Sequence, residues 1–510
     1  MADSPVRPTS NLPVTVGALC EQLPITLHAG DASVAVTGVS LATDSVCAGD
    51  VFIALPGANR HGAEFAKAAL EAGAVAILTD EEGLSRLGET SAPVLRAEHP
   101  RVIAGRVAAQ VYSSSSPLPR VCAVTGTNGK TSVSFYLEAI FRQVGHLTAL
   151  SNSAQRQIAG SSYYTKLTTP EAPELHAMLA VAAEKGVGFF ALEASAQAIE
   201  RHRLDGLRVA VAGFTNLSHD HFEDYGDMDR YLDEKLPLFQ PDRSDRAVVS
   251  LESPYGQIVV ERSGVPTVTV GQAGTGAEWT WVSEGSDGFG EAFSLTGPAG
   301  TVHTSIQALG SHMVSNAALA TVMAIEAGVT IEELAAIDQD HGGIHVVVPG
   351  RLERVSGESG LAVFVDAGRS ADAYQHTFTN LREHFSGKLI VVCGTSGNRD
   401  RSKRADMGSH AARMADLVII TDDDPRLEDP AQIRSDLLAG AHSVEGARVE
   451  EIADPSDAIR FAVSMATEGD VVVWMGPGSQ HYRDIGGARV PYSARDEALR
   501  ALTDAGWLSE

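Results

Sequence analysis

The chain has 510 residues, of which 44% are apolar and 20% charged, and its formal net charge is −26. This composition is typical of a soluble globular protein with about three domains, and the strong negative charge disfavours nucleic acid and anionic membranes as partners. No segment has the pattern of a signal peptide or a membrane span, so we expect a cytoplasmic protein without membrane insertion.

Residues 1–112 are predicted to form a small mixed α/β domain. The apolar runs 51–55 and 74–78 have the length of strands, and residues 64–72 between them have a helical pattern. The segment 113–119 that follows (SSSSPLP) suits neither a helix nor a sheet, so it predicts a linker.

Residues 120–348 are predicted to form a second domain around a parallel sheet. Short apolar runs alternate here with helical stretches, which is typical of a sheet that helices cover on both faces. A stretch rich in glycine, threonine and serine then predicts hairpins. The predicted strands are 121–124, 188–193 and 209–214, the hairpins lie within 279–306, and the predicted helices include 131–144, 312–327 and 331–337.

Residues 349–510 repeat the alternation of strand and helix, which predicts a third, doubly wound, Rossmann-like domain. Its predicted strands are 363–366, 389–393, 417–421 and 471–475.

The segment TGTNGKTS, residues 125–132, lies between a predicted strand and a predicted helix. Glycines allow the backbone N–H groups to surround phosphate oxygens, and the helix N-terminus adds partial positive charge. An ordinary glycine turn is the alternative, because the loop is shorter than the common GxxxxGK[ST] form. The residues expected to bind ATP are Gly126, Thr127, Asn128, Gly129, Lys130, Thr131 and Ser132.

Seven further motifs follow along the chain. Taken alone, each has a structural explanation: TTP is usually the end of a strand, a lysine in a helix is usually solvated, and a run of aspartates is usually an exposed loop. The motifs are TTP at 168–170, EASAQ at 193–197, NLSHDH at 216–221, Lys235 within YLDEKLPLF, PGRLE at 349–353, SGNRD at 396–400 with Lys403-Arg404, and TDDDPR at 421–426.

Together these motifs resemble those of the Mur ligases, and the resemblance extends through all three predicted domains. It implies an ATP-dependent ligase that activates the D-glutamate carboxylate of UDP-MurNAc-L-Ala-D-Glu as an acyl phosphate and joins it to an amine. The expected partners are the UDP-MurNAc dipeptide and a free amino acid, the expected cofactors are ATP and Mg²⁺, and a monomer is expected.

The resemblance also assigns roles at the reaction centre. A free ammonium would repel Mg²⁺, whereas a carbamylated lysine is anionic and suits the ion. The residues implied in catalysis are Lys130, Glu193, Lys235 and His221. The implied metal ligands are Thr131, Glu193 and Lys235 as its carbamate.

The remaining roles concern substrates. Asp424 stands where relatives that add diaminopimelate have asparagine, and a carboxylate there favours L-lysine or a similar diamino acid. The residues implied for the UDP-sugar are Ser45, Thr168, Thr169, Ser195 and Arg203. Those implied for the nucleotide also include Asn316 and Arg351, and those for the amino acid are Arg399, Asp423, Asp424 and Arg426.

Several family positions are altered, which keeps other functions open. One alternative is a non-catalytic, regulatory nucleotide-binding homologue, and another is a ligase similar to folylpolyglutamate synthase. The altered positions are Ala196-Gln197 in place of serine and histidine, Met313 in place of asparagine, residues 366–371 (DAGRSA) in place of DYAHxP, and residues 476–480 (GPGSQ) in place of GKGHE.

Overall fold

A computed structural model of the chain describes residues 5–57, 59–112, 117–163, 167–218, 227–287, 290–357 and 360–508. Packing divides the chain into two compact units. The first consists of Met1–Gly285, Ala292–Ile306 and Val314–His345, and the second of Ser286–Glu291, Gln307–Met313 and Val346–Glu510. The finer division into three domains stays a prediction. Within the described ranges, no helix has the length and apolar character needed to cross a membrane.

The described residues up to Tyr112 form a small mixed sheet with helices. The elements are β1 (Val14–Thr15), α1 (Val16–Gln22), β2 (Thr26–Ala29), β3 (Ala35–Val36), β4 (Gly38–Ser40), β5 (Asp50–Ile53), α2 (Ala66–Glu71), β6 (Ala76–Thr79), α3 (Glu81–Arg86), β7 (Val94–Arg96) and α4 (Pro100–Val111). Parallel pairing joins β4, β5, β6 and β7, the antiparallel strand β2 pairs with β7 at one edge, and β1 pairs with β3. Two 3₁₀ turns span Thr43–Ser45 and Gly62–Phe65.

The next part of the chain builds a larger sheet. Its described strands are β8 (Arg120–Thr125), β9 (Thr148–Ser151), β10 (Arg156–Ile158), β11 (Ser161–Tyr163), β12 (Phe189–Glu193), β13 (Val209–Phe214), β14 (Ser244–Ser250), β15 (Thr267–Gln272), β16 (Trp279–Asp287), β17 (Gly290–Gly297) and β18 (Gly300–Ile306). Its described helices are α5 (Lys130–Gln143), α6 (Ala172–Glu184), α7 (Ala196–Glu200), α8 (Met228–Asp233), α9 (Pro254–Arg262), α10 (Ser311–Glu326) and α11 (Ile331–His341), with a 3₁₀ turn at Leu236–Phe239.

The strand order in this sheet is β11-β10-β9-β12-β8-β13-β14-β15-β16-β17-β18. Strand β8 is parallel to both of its neighbours, with Glu193 opposite Val124 on one side and Phe214 opposite Thr125 on the other. The carboxyl ends of β12, β8 and β13 therefore meet at one edge of the sheet. In parallel sheets that edge is the usual place for ligands.

The core of this sheet explains why its central strands β12 and β13 are mostly apolar. Phe190, Leu192 and Phe214 are buried together with residues of the covering helices, and Phe141 of α5 stacks on Phe189 with ring centroids 4.0 Å apart. Burying one such side chain contributes about 2–3 kcal/mol. The helices thus cover both faces, and the loops at the strand ends are left for function.

The second unit contains a six-stranded sheet and an antiparallel hairpin. The elements are β19 (Glu353–Arg354), β20 (Ala362–Asp366), α12 (Ala371–His384), β21 (Leu389–Cys393), α13 (Lys403–Met414), β22 (Leu417–Ile420), α14 (Pro430–His442), β23 (Val449–Glu451), α15 (Pro455–Met465), β24 (Val471–Met475), β25 (Tyr482–Ile485), β26 (Ala488–Pro491) and α16 (Ala494–Asp504). The strand order in the sheet is β19-β20-β24-β21-β22-β23, and the pairing is parallel except at the edge strand β19. The hairpin consists of β25 and β26.

The predicted α/β class with large parallel sheets is confirmed, and β21 has the predicted bounds. The helix predicted at 64–72 is wrong at its start. His61 and Glu64 form a reciprocal cap on the 3₁₀ turn Gly62–Phe65, so α2 begins at Ala66. Of the predicted linker 113–119, residues 113–116 lie outside the described residues.

Candidate functional site

The loop between β8 and α5 depends on two glycines. Gly126 has a φ of +142° and Gly129 a φ of +86°, both in the region that favours glycine. A Cβ on Gly126 would lie 2.0 Å from Thr215 Oγ1, and a Cβ on Gly129 would lie 2.2 Å from Asn316 Oδ1. A side chain at either glycine would therefore clash with Thr215 or Asn316. The same distances show that Asn316 lies beside the loop.

The segment after β13 holds the loop in shape. The backbone N–H of Thr127 donates to the carbonyl of Asn216 at 2.8 Å, and that of Asn128 donates to Asn216 Oδ1 at 3.1 Å. Thr215 Oγ1 donates to the carbonyl of Asn128 at 2.6 Å, and the N–H of Ser218 donates to Thr127 Oγ1 at 3.1 Å. These bonds fix the backbone in advance of any ligand.

Lys130, the first residue of α5, turns its ammonium back over the loop. Its Nζ donates to the carbonyl of Thr127 at 2.6 Å and to that of Gly126 at 3.1 Å. The side chain is half-buried. A cation held here, at a helix N-terminus, favours anionic oxygens in the loop.

Thr131 and Glu193 form the polar contact beside the loop. Thr131 Oγ1 donates to Glu193 Oε2 at 2.9 Å, and the backbone N–H of Ser153 donates to the same oxygen at 3.1 Å. The Ser153 hydroxyl lies 3.0 Å from Thr131 Oγ1. Glu193 is 3% exposed. A hydroxyl next to one buried carboxylate fits Mg²⁺, which usually keeps several waters. Within the described residues, no group of three or more histidine, cysteine, aspartate or glutamate side chains is placed to hold a metal ion.

Lys235 is fully buried, at 0% exposure. Its Nζ lies 3.7 Å from the centroid of the Tyr231 ring, just before the 3₁₀ turn Leu236–Phe239. Burial disfavours the charged form of an amine, and carbamylation needs the neutral form. The fourth residue implied in catalysis, His221, lies outside the described residues.

The residues implied for the UDP-sugar fall in two places. Thr169 Oγ1 donates to the carbonyl of Glu193 at 2.8 Å and accepts from the N–H of Ser195 at 3.2 Å. Arg203 Nη1 donates to the carbonyl of Thr169 at 3.3 Å, and half-buried Thr168 precedes it. These four residues and Glu193 therefore form one group. Ser45 lies elsewhere in the first unit, in the 3₁₀ turn Thr43–Ser45 after β4, where its hydroxyl lies 2.8 Å from Ser40 Oγ.

Comparisons with known proteins fit this geometry. The family model of the Mur ligase middle domain matches residues 124–324, that of the Mur ligase glutamate ligase domain matches 350–478, and that of the Mur ligase family catalytic domain matches 35–115. A UDP-N-acetylmuramyl-tripeptide synthetase of Leifsonia xyli subsp. xyli is 45% identical over 93% of each chain.

The chain belongs to the Mur ligase family. It is an ATP-dependent ligase of peptidoglycan precursors that forms amide bonds. A second relative, a UDP-N-acetylmuramoyl-L-alanyl-D-glutamate–2,6-diaminopimelate ligase of Streptomyces avermitilis, is 37% identical over 96% of this chain and 97% of its own. A solved structure of a ligase of that name is similar with a TM-score of 0.68 and 28% identity, and the match covers 98% of this chain and all of the other.

The second unit of this Mur ligase holds the residues implied for the amino acid. Asp423 and Asp424 follow β22 and are buried. Burial, and then the charge of Asp423, raise the pKa of Asp424. Arg426 has a φ of +54°, and burial, followed by the charge of Arg399, lowers its pKa. Arg351 is half-buried, and its charge opposes the burial that raises the pKa of Asp366.

A cleft lies next to these aspartates. Its lining includes the run Asp422, Asp423 and Asp424 together with aromatic side chains. Arg483 Nε donates to the carbonyl of Asp423 at 2.8 Å. The remaining lining residues are Pro455, Trp474, Pro477, Gln480, Tyr482 and Tyr492. Acidic groups beside aromatic walls suit a small cationic ligand.

Two residues at these sites were not predicted from sequence: Ser153 contacts Glu193, and Thr215 approaches the phosphate loop. Asn216 was noted within the motif NLSHDH, but not its bonds to the loop. The signal in the sequence was that Ser153 and Thr215 closely follow the strands β9 and β13, whose carboxyl ends lie at the same sheet edge as the phosphate loop. Arg369, noted from sequence only as part of a lost motif, forms an ion pair with Asp423.

Proposed function

We propose that this Mur ligase adds the third amino acid to UDP-MurNAc-L-Ala-D-Glu, with L-lysine or a similar diamino acid as the acceptor. The observation that carries the proposal is the contact between Thr131 and Glu193 beside a loop preformed around Lys130. The Leifsonia xyli relative is a UDP-N-acetylmuramyl-tripeptide synthetase, which supports the choice of substrate. The cytoplasmic location and the monomeric state stay predictions.

The chemistry follows from positioning and charge. The D-glutamate carboxylate attacks the γ-phosphorus of ATP, ADP leaves, and an acyl phosphate forms. The neutral amine of the acceptor then attacks the acyl carbon, phosphate leaves, and the amine loses a proton. Lys130 and the backbone N–H groups of the loop other than those of Thr127 and Asn128, which donate to Asn216, neutralise charge that grows on the phosphate oxygens. Such neutralisation is the main requirement of phosphoryl transfer. Asn316, next to Gly129, and Arg351 are proposed to contact the nucleotide.

We assign the metal to three residues. Thr131, Glu193 and Lys235 as its carbamate would hold Mg²⁺, which supplies charge neutralisation for the phosphates. The contact between the Thr131 hydroxyl and the buried Glu193 carboxylate supports this assignment, as does the complete burial of Lys235. His221 is proposed to act close to the transferred phosphate.

The substrates are assigned to two groups of residues. Ser45 is proposed to contact the uridine portion, while Thr168, Thr169, Ser195 and Arg203 hold the sugar peptide. The contacts of Thr169 with the backbone of Glu193 and Ser195 support this assignment, because they place a proposed substrate-binding residue next to the proposed metal ligand.

In the second unit, Arg399 and Arg426 are proposed to bind the carboxylate of the incoming amino acid. Asp423 and Asp424 are proposed to bind its side-chain ammonium. The acidic wall of the cleft supports this assignment.

The test is phosphate release from purified protein with UDP-MurNAc-L-Ala-D-Glu, Mg²⁺-ATP and a panel of amino acids. We expect release with a diamino acid, an equal yield of tripeptide, and loss of both in Lys130→Ala but not in the control Lys185→Ala, which changes an exposed lysine. Nucleotide binding without release for any acceptor would instead favour a regulatory homologue. Release with a folate acceptor alone would favour a folylpolyglutamate synthase-like ligase.

A further inference from the structure

Arg369 connects two strand ends of the second unit. It lies between β20 and α12, whereas Asp423 and Asp424 follow β22, and two strands, β24 and β21, separate β20 from β22 in the sheet. Arg369 Nε lies 2.9 Å from Asp423 Oδ2, and Arg369 Nη2 lies 3.6 Å from Asp424 Oδ2. One guanidinium therefore faces both carboxylates that border the cleft.

Burial makes this contact important for charge. The side chains of Asp423 and Asp424 are each 6% exposed, and that of Arg369 is 24% exposed. Burial alone would lower the pKa of Arg369, but the two carboxylates outweigh it and the pKa is raised. Burial and the charge of Asp423 raise the pKa of Asp424, and Arg369 opposes that rise. Without the Arg369 guanidinium, the Asp424 carboxyl group would ionise less readily.

The other groups around Asp424 cannot replace Arg369 in this role. The backbone N–H of Asp484 donates to Asp424 Oδ1 at 3.2 Å, so it orients the carboxylate but carries no charge. Arg426 acts more weakly on Asp424 than Arg369 does, and it also faces the Asp484 carboxylate. Asp422, the third aspartate of the run, pairs instead with Arg434.

We propose that Arg369 is a positioning residue for acceptor selection: its ion pairs hold the carboxylates of Asp423 and Asp424 in place so that the cleft binds the ammonium of the acceptor side chain. The proposal rests on the proposed function, in which these aspartates contact the acceptor. Two carboxylates and one guanidinium leave one formal negative charge, which matches one side-chain ammonium. Arg369 stands where the family motif DYAHxP has a histidine. The contacts of this guanidinium with the two carboxylates are therefore not part of that motif.

The test compares acceptors that differ by one amine. In phosphate-release assays, L-lysine is paired with L-norleucine and L-ornithine with L-norvaline, for wild type, Arg369→Met and Arg369→Lys. We expect Arg369→Met to raise KM for the diamino acid about tenfold or more, with kcat and the isostere's KM little changed, because a charged contact is lost. The raised KM should fall again as pH increases, since Asp424 ionises at higher pH in this variant. Arg369→Lys should recover most of the effect.

Arg382→Met is the matched control, because it removes an arginine of the same unit whose ion-pair partner, Asp416, does not line the cleft. It should keep the wild-type KM and pH profile. Equal losses for a diamino acid and its isostere, a fall in kcat at constant KM, or an unshifted pH profile in Arg369→Met would overturn the proposal.

A binding readout separates this proposal from the proposed function. If wild type releases no phosphate with any amino acid, the proposed function fails, and thermal unfolding then tests Arg369 directly. L-Lysine should raise the Tm of wild type and Arg369→Lys more than L-norleucine does, and should give Arg369→Met no such advantage. Equal shifts by the two amino acids in wild type would overturn the proposal.

Discussion

Replacing Gly129 by alanine tests the phosphate loop most sharply. A residue with a Cβ at a positive φ costs about 1–2 kcal/mol. The new Cβ would also lie 2.2 Å from Asn316 Oδ1, so the two groups must separate by about 1 Å to reach an ordinary contact distance. We therefore expect a loss of stability and, because the loop N–H groups move, a weakening of Mg²⁺-ATP binding by about 10- to 100-fold.

Gly145→Ala is the matched control. Gly145 follows the same helix, α5, with a φ of +90° and no atom within 4 Å of an added Cβ. It should carry the same backbone cost of about 1–2 kcal/mol and leave nucleotide affinity unchanged. Urea unfolding and isothermal titration calorimetry with a non-hydrolysable ATP analogue measure the two effects. Wild-type affinity in Gly129→Ala, or an equal loss of affinity in Gly145→Ala, would refute this account of the loop.

Three further predictions concern the reaction centre and the second unit. Glu193→Gln should lower kcat about 100-fold, because a buried charge at the proposed metal site is lost. Circular dichroism should show that the variant stays folded, and an unchanged kcat would exclude Glu193 as a ligand. Lys235→Ala should lose most of its activity. Removal of bicarbonate should slow the wild type but not the residual turnover of the variant, and equal fractional losses would exclude the carbamate. Hydrogen bonds from Arg404 lower the pKa of Glu428 to about 2, and burial, the next largest effect, opposes this shift. The stability from this pair is present above the ordinary carboxylate pKa of about 4.3 and is lost as pH falls towards 2. Arg404→Met should therefore destabilise the protein by about 2–3 kcal/mol at neutral pH, and the difference in urea unfolding should shrink below pH 4.5; a constant difference would contradict the assignment.

Much of the fold was predictable because its signals are local. Apolar runs such as 389–393 and 209–214 have the length and composition of buried parallel strands, and β21 and β13 lie there. The glycine loop before α5 was predictable because glycine is required where φ is positive. The start of α2 was not, because the competing cap comes from the side chain of His61.

The contacts within the sites were harder to predict. Ser153 reaches Glu193 because β9 and β12 are neighbours in the sheet, and Asn216 reaches the loop because β13 lies beside β8. Strand order is set by packing of the whole chain, and no local pattern records it. Arg369 was noted from sequence only as part of a motif that had lost its histidine. It pairs with Asp423 because the carboxyl ends of β20 and β22 lie at the same edge of the sheet.

In the proposed reaction, the loop around Lys130 binds ATP so that the D-glutamate carboxylate is phosphorylated and its carbon becomes electrophilic. The most direct test uses UDP-MurNAc-L-Ala-D-Glu with ¹⁸O in the reacting D-glutamate carboxylate, Mg²⁺-ATP and the best acceptor of the panel. Mass spectrometry of the released phosphate should find one ¹⁸O for each amide bond formed. Amide formation with unlabelled phosphate would contradict the acyl phosphate and with it the proposed role of the loop.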